Sequence, residues 1–242
     1  MKLLRLAHRC LVQQTMPRWA ANYYERLVDA VADAYLKPFC DEVSAAFPQA
    51  LRILDAGTGT GQLPVFLARA RPDWHVTGVD LSVRCLELAC AKAERAGVAA
   101  RVSWLRASLE SIPLSAASMD LVLSTLSLHH WRRPASVLRE LARVLKPGGE
   151  IWLLDDAAEA SRASRAEWAA EVERLSHAGL LFRCVYWFES RYLAYSKEEV
   201  AALAAAAGLT MHAHEMRGVF FLAHLRPANR PGQAEPCPIP NA

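Results

Sequence analysis

Ile53-Leu54-Asp55-Ala56-Gly57-Thr58-Gly59-Thr60-Gly61 is an apolar run that ends in an acid, then sets glycine at three alternate positions before a helical pattern starting near Gln62. Glycine lacks Cβ and tolerates positive φ, so such a loop turns tightly and lets a polar group lie against main-chain N–H groups at a helix N-terminus. The stretch predicts strand, loop and helix in that order, with a ligand at the strand's carboxyl edge. Its spacing separates two ligand classes. A dinucleotide fingerprint is G-x-G-x-x-G, whereas here the third glycine comes one residue early and Gln62 holds the dinucleotide position.

Outward from this stretch, the chain alternates helical and strand patterns. The first strand is expected over 51–55; Pro64 is tolerated in the first turn of the helix that follows the loop, and Pro72 stops that helix. Residues 74–80 read as a second strand ending in Asp80, near the ~20-residue offset at which a carboxylate meets ribose hydroxyls in nucleotide folds. Asp80 can accept from two vicinal hydroxyls; the other reading is a cap for the helix over 83–96, a task open to Ser82 itself. Strands are expected over 101–105, 119–124 and 150–154, with a helix over 134–145 between the last two. A capping box, Ser196-Lys197-Glu198-Glu199, opens a helix closed by Gly208, and 209–215 with 219–225 form an antiparallel hairpin.

Leu54 to Gly61, Val79-Asp80-Leu81-Ser82, Met119-Asp120-Leu121-Val122 and Leu145-Lys146-Pro147-Gly148-Gly149 follow one another in the order and at the intervals of a known family. Over roughly residues 51–156 the chain resembles the class I S-adenosylmethionine-dependent methyltransferases, of the small-molecule type similar to the ubiquinone and menaquinone biosynthesis enzymes. The resemblance implies an α/β, doubly wound, Rossmann-like sheet of seven mostly parallel strands with an antiparallel C-terminal hairpin, N-terminal helices and a helical, aromatic lid. It implies S-adenosylmethionine as cofactor, S-adenosylhomocysteine as product, and methyl transfer to an O, N or C nucleophile of a small apolar or aromatic molecule. Asp55, Gly57, Thr58, Gly59 and Gly61 would take its amino-acid part and ribose, Asp80 the ribose hydroxyls, Ser108 and the Leu109 N–H the adenine, with Leu81 and Thr125 also in contact with the cofactor. Many relatives carry Asp where Ser108 stands, and a neutral acceptor is the weaker partner. Either Tyr23 or Tyr24, with Tyr24 carried forward, would cover the cofactor from a lead-in helix, although Trp19, Tyr23, Tyr24, Leu27, Val31 and Tyr35 read first as a packing stripe.

His129 and His130 follow the fourth strand, where donor and acceptor should meet, and histidine titrates near neutral pH. They are the candidate bases, His129 first; the alternative is that the pair only shapes the loop. Asp155 and Asp156 close the fifth strand on the same edge and either touch the acceptor or cap the next helix. Among the aromatics of 182–192, Tyr186 and Trp187, with Arg191, are expected to face the acceptor. His212 and His214 alternate on one strand and share a face, but no third ligand stands near them in sequence, so no metal is expected.

The domains expected are an N-terminal helical lid over 1–50, with helices over 3–13, 20–34 and after Pro38; a methyltransferase domain over 51–226, with an acceptor-side insertion at 157–195 opening on a polar helix over 160–177; and a proline-rich, disordered tail over 227–242. Net charge is +3 without basic blocks, so a nucleic-acid partner is not implied. Six cysteines form no C-x-x-C pair, and no segment reaches the ~18 apolar residues that span a bilayer, so a cytoplasmic monomer or homodimer is expected. Two other readings compete: a cofactor-binding protein with different chemistry or a scaffold role, and a nicotinamide oxidoreductase, which Gln62 disfavours.

Overall fold

The computed structural model describes residues 18–176, 188 and 191–228, and of residues 18–21, 23, 24 and 28 the backbone alone. The elements are α1 (Arg18–Ala46), β1 (Arg52–Ala56), α2 (Gln62–Ala70), β2 (His75–Asp80), α3 (Val83–Arg95), β3 (Val102–Arg106), β4 (Met119–Thr125), α4 (Pro134–Val144), β5 (Leu145–Asp156), α5 (Arg162–Ser176), α6 (Lys197–Ala206), β6 (Leu209–Arg217) and β7 (Phe220–Pro227). One seven-stranded sheet runs in the order β3-β2-β1-β4-β5-β7-β6. Strands β1 to β5 pair in parallel, and the β6–β7 hairpin adds antiparallel to β5. Strand order reverses between β1 and β4, and in such sheets the ligand crevice opens there, beyond the carboxyl ends.

Alternation along the strands builds two cores. On one face Ile53, Val76, Leu121, Leu123, Trp152, Leu154 and Leu222 bury against α1 and α2. On the other, Leu54, Val79, Val122, Ile151, Leu153 and Phe221 bury against α4 and α6. Ser82 caps α3 by accepting from the Cys85 N–H (3.3 Å), and the expected capping box at Ser196 is formed. Among the described cysteines Cys40, Cys85 and Cys90 are unbridged.

The lead-in differs from expectation. Helices over 20–34 and after Pro38 are one continuous helix, α1, with Pro38 inside it. An interior proline costs about 3 kcal/mol. Pro38 is exposed, however, while Leu36, Phe39, Cys40 and Val43 are at most 2% exposed, and burying such side chains returns about 1.5–3 kcal/mol each. The core contacts on both sides of the proline therefore hold the helix whole. Its N-terminal half adds polar contacts to the packing of Leu27 and Val31 on Val172 of α5: Arg84 donates to Asn22 (2.9 and 3.0 Å), Gln62 donates to Asp29 (3.0 Å), and Lys92 pairs with Asp29. After α1, Arg71 donates to the carbonyls of Phe47 (2.8 Å) and Pro48 (2.7 Å), fixing the turn into β1. The expected helix over 3–13, most of the aromatic segment and the tail beyond 228 lie outside the described residues.

Strand β6 carries a second departure. Its register with β7 slips between Met211 and Ala213, so His212 is an extra residue in a bulge. A bulge re-aims side chains. His214 stacks on Phe221 (5.5 Å between centroids), whereas His212 meets His224 (5.7 Å) on the opposite face, so the two histidines do not share a side.

Gly61 anchors α2 at φ 80°, where an added Cβ would lie 2.6 Å from the Ala89 Cβ and 2.8 Å from the Trp104 ring. Gly61→Ala combines left-handed strain with overpacking and is expected to lower stability by roughly 2–4 kcal/mol, read as a lower urea midpoint at unchanged m.

Candidate active site

The glycine loop is shaped by its neighbour strand. The N–H groups of Gly57 and Thr58 both donate to the Val79 carbonyl (2.9 and 3.0 Å), and the Gly59 N–H donates to Asp80 Oδ2 (3.0 Å). Asp80 Oδ1 accepts from the Ser82 N–H (2.8 Å), so the carboxylate is fixed by backbone rather than used as a helix cap. Two accepted bonds leave part of its roughly four lone-pair sites open. Burial raises the Asp80 pKa, and the Ser82 and Gly59 N–H groups oppose that shift.

Asp55 is 1% exposed at the end of β1, and neither carboxylate oxygen has a hydrogen-bond partner; nor has the Thr58 hydroxyl. Burial first, with the charge of Asp80 adding, pushes the Asp55 carboxyl up to about 7, while Thr58 tempers the shift from a geometry short of a hydrogen bond. A buried acid without a partner is costly to ionise unless positive charge is brought to it.

The wall opposite is the loop after β4. Leu126 sits at φ 49°, an uncommon conformation for a branched side chain, and its N–H donates to the Leu154 carbonyl (2.8 Å). Ser127 then lies so close over Gly57 that a Cβ there would be 2.0 Å from its Oγ, which accepts from Trp131 Nε1 (2.9 Å). Sequence reading missed Ser127 and Trp131; the glycine at 57 is the only local sign of so close an approach. Thr125 and Leu81 are half-buried at the carboxyl ends of β4 and β2. Leu109 is the next nearest side chain to Gly57, and the Ser108 hydroxyl already accepts from the Glu110 N–H (3.2 Å), leaving one lone pair for a ligand.

The histidines separate. His129 is 5% exposed and its Nδ1 lies 2.6 Å from Asp155 Oδ1, while His130 is exposed with its ring 4.0 Å from that of His129. Asp155 also accepts from the Leu128 N–H (2.8 Å) and the Asp156 N–H (2.8 Å). It therefore caps the turn before His130, not the helix that follows β5. Of the expected acceptor residues, Tyr186 and Trp187 lie outside the described residues, as does the side chain of Tyr24. Arg191 is exposed, its guanidinium 5.9 Å from the Tyr192 ring.

A cavity of about 390 Å³ opens at the carboxyl end of β5, lined by Tyr35 and Phe39 of α1, Leu154, Trp168 of α5 and Phe220. Tyr35, Trp168 and Phe220 are mutually packed with centroids 5.2–6.3 Å apart. Sequence alone assigned Tyr35 to packing and gave Trp168 no role; only the tertiary meeting of α1, α5 and the β6–β7 turn joins them.

Residues 54–153 match the family described as methyltransferase domain. The chain is similar to the ubiquinone/menaquinone biosynthesis C-methyltransferase of Syntrophotalea carbinolica, 40% identical over 104 residues that make 43% of each chain. It is also similar to the 27-O-demethylrifamycin SV methyltransferase of Amycolatopsis mediterranei, 37% identical over 53% of this chain and 46% of that one. The chain thus spans less than half the length of these two curated relatives. A putative S-adenosyl-L-methionine-dependent methyltransferase of Methanococcus maripaludis superposes with a TM-score of 0.73 at 20% identity, over 92% of this chain and all 100% of that one, which is a likeness of fold. The strand order and the glycine loop thus coincide with a methyltransferase-domain match over residues 54–153, and the relatives named above are methyltransferases.

Proposed function

We propose that the chain transfers the methyl group of S-adenosylmethionine to a small apolar or aromatic molecule. The observation that carries this reading is the pair of acids at the crevice: Asp55, buried with both oxygens unpartnered, and Asp80, fixed at the end of β2 with lone pairs to spare. The pair fits the cofactor's two polar ends, an ammonium-bearing amino-acid part at Asp55 and a vicinal diol at Asp80. When bound, the cofactor supplies an electrophilic methyl group on a sulfonium.

The remaining tasks fall to the chain's own residues. Gly57, Thr58, Gly59 and Gly61 let the main chain come close to the ligand, Leu81 flanks the ribose, Ser108 and Leu109 meet the adenine, and Thr125 borders the reaction edge. Helix α1, with Tyr24 on it, acts as the lid. His129 is the base where the acceptor needs one: Asp155 fixes its ring through Nδ1 and would stabilise the imidazolium that forms. His130, exposed beside it, is the weaker candidate. The cavity bounded by Tyr35, Trp168 and Phe220 lies on the α1 face, across β5 from Asp155, and its aromatic walls suit a flat, apolar part of the acceptor. Aligning the two reactants and excluding water is then most of the catalysis.

Incubating the protein with labelled cofactor and a cell extract, followed by mass spectrometry, tests the reading; an extract in which nothing gains label, with a protein that binds no cofactor, refutes it. Asp80→Ala removes two charge-assisted bonds and should weaken cofactor binding at least about 100-fold by titration calorimetry.

Asp55 gives a pH signature. Its folded pKa lies above the unfolded carboxylate value, so the free protein loses stability as pH rises from about 4 to 7, the window in which the folded state holds the extra proton. Cofactor binding that needs the ionised form should release close to one proton at pH 6 and weaken by up to about tenfold per unit below pH 7. Calorimetry in two buffers of different ionisation enthalpy reads the proton, and Asp55→Asn should abolish its release. With the acceptor in hand, Trp168→Ala should raise its KM about tenfold or more and leave the cofactor Kd unchanged.

A further inference from the structure

The β-bulge that turns His212 across the sheet brings it to Glu150 and His224. These three residues come from β6, β5 and β7, and one ligand atom of each lies within 4.8 Å of the others. We infer that Glu150, His212 and His224 form a binding site for a divalent transition-metal ion, zinc above all, at the antiparallel edge of the sheet.

The donor set is the first argument. Two imidazoles and one carboxylate with room for a water are a zinc ligand set. The spacing is the second. His212 Nε2 stands 3.6 Å from Glu150 Oε2, too far for a hydrogen bond but close to the ~3.3 Å edge of a tetrahedron built on 2.0–2.1 Å bonds. Two groups at that separation are placed to share an ion rather than to bond each other.

The surroundings orient each ligand. Arg226 donates twice to Glu150 Oε1 (2.5 and 3.0 Å) and Trp152 Nε1 donates once to Oε2 (2.7 Å), which leaves a lone pair on Oε2 for a cation. The His224 ring lies flat on Trp152, 3.8 Å between centroids at 8°. Such outer contacts fix ring planes and carboxylate direction at metal sites. The ionisation states agree. Burial, with Arg226 for His212, holds both imidazoles below the usual histidine range, and Trp152 and Arg226 outweigh burial to hold the Glu150 carboxyl low. Neutral imidazole and ionised carboxylate are the forms that ligate. The nearby Arg226 charge acts against a second cation, so the site favours an ion that gains from nitrogen ligands over calcium or magnesium.

Glu150 pairs across to Leu121, below the carboxyl ends of β4 and β5, so the site lies away from the glycine loop. An ion there would tie β5, β6 and β7 together and would be structural rather than a reactant.

The test uses the full chain after chelation and dialysis, titrated with zinc chloride by calorimetry and with cobalt(II) by visible absorption, alongside the melting temperature with and without zinc. Expected is one strong site per chain, a zinc-dependent rise in melting temperature, and tetrahedral cobalt bands. His212→Ala and His224→Ala should each weaken binding at least tenfold and remove the rise, while His214→Ala, on the opposite face, should change neither. Metal-free melting of the variants near that of the wild type guards against misfolding, and Glu150→Gln, which keeps shape, should also weaken binding. Binding equal in the wild type and the His212→Ala, His224→Ala double variant, or lost equally with His214→Ala, would overturn the assignment.

Discussion

The carboxylate of Asp80 holds two parts of the fold in one place. Its oxygens accept from Gly59 in the loop after β1 and from Ser82 at the start of α3, so the loop's shape and the helix's start are set by the end of a neighbouring strand. The Val79 carbonyl, one residue earlier, takes the next two N–H groups of the same loop. A charged acceptor forms stronger bonds than a neutral one, so Asp80 adds to the hold of the Val79 carbonyl on the loop. The crevice is therefore built before any ligand arrives. What remains for a ligand is to satisfy Asp55, which the fold leaves buried and unpaired.

Two acids with different surroundings divide the work. Asp80 is bonded, partly open and committed to position; Asp55 is sealed on the α1 side of the sheet, where burial also raises the Cys40 thiol pKa, with the charges of Asp41 and Asp55 adding. The same chemical group thus serves as a strut in one place and as a stored demand for positive charge in the other. On the other face of the sheet, Asp155 gathers the His129 ring and two N–H groups at the carboxyl end of β5.

Much of this was legible in the residues because it is local. Alternate glycines after Asp55, the acid ending β2, the Ser82 cap and the box at Ser196 each speak through neighbours a few positions away, and the structure forms all of them. The misreadings are those where a distant partner decides. Pro38 looks like a break until the sheet buries Leu36 and Phe39 on either side of it. His212 and His214 look like same-face neighbours until β7 imposes a register with an extra residue. Asp155 and His129 lie 26 positions apart, and Tyr35 meets Trp168 only because α5 returns to α1. Long-range pairing is not written in a window of ten residues.

The uneven attachment of α1 has one further result. Its second half is locked by apolar burial, while its first half combines the packing of Leu27 and Val31 on α5 with the contacts of Asn22, Asp29 and their charged partners. Dissolved ions screen exposed charge pairs over about 8–10 Å and leave apolar contacts almost untouched. Ionic strength thus acts on the Asn22 and Asp29 contacts near one end of α1 and leaves the burial of Leu36, Phe39 and Val43 near the other as it is.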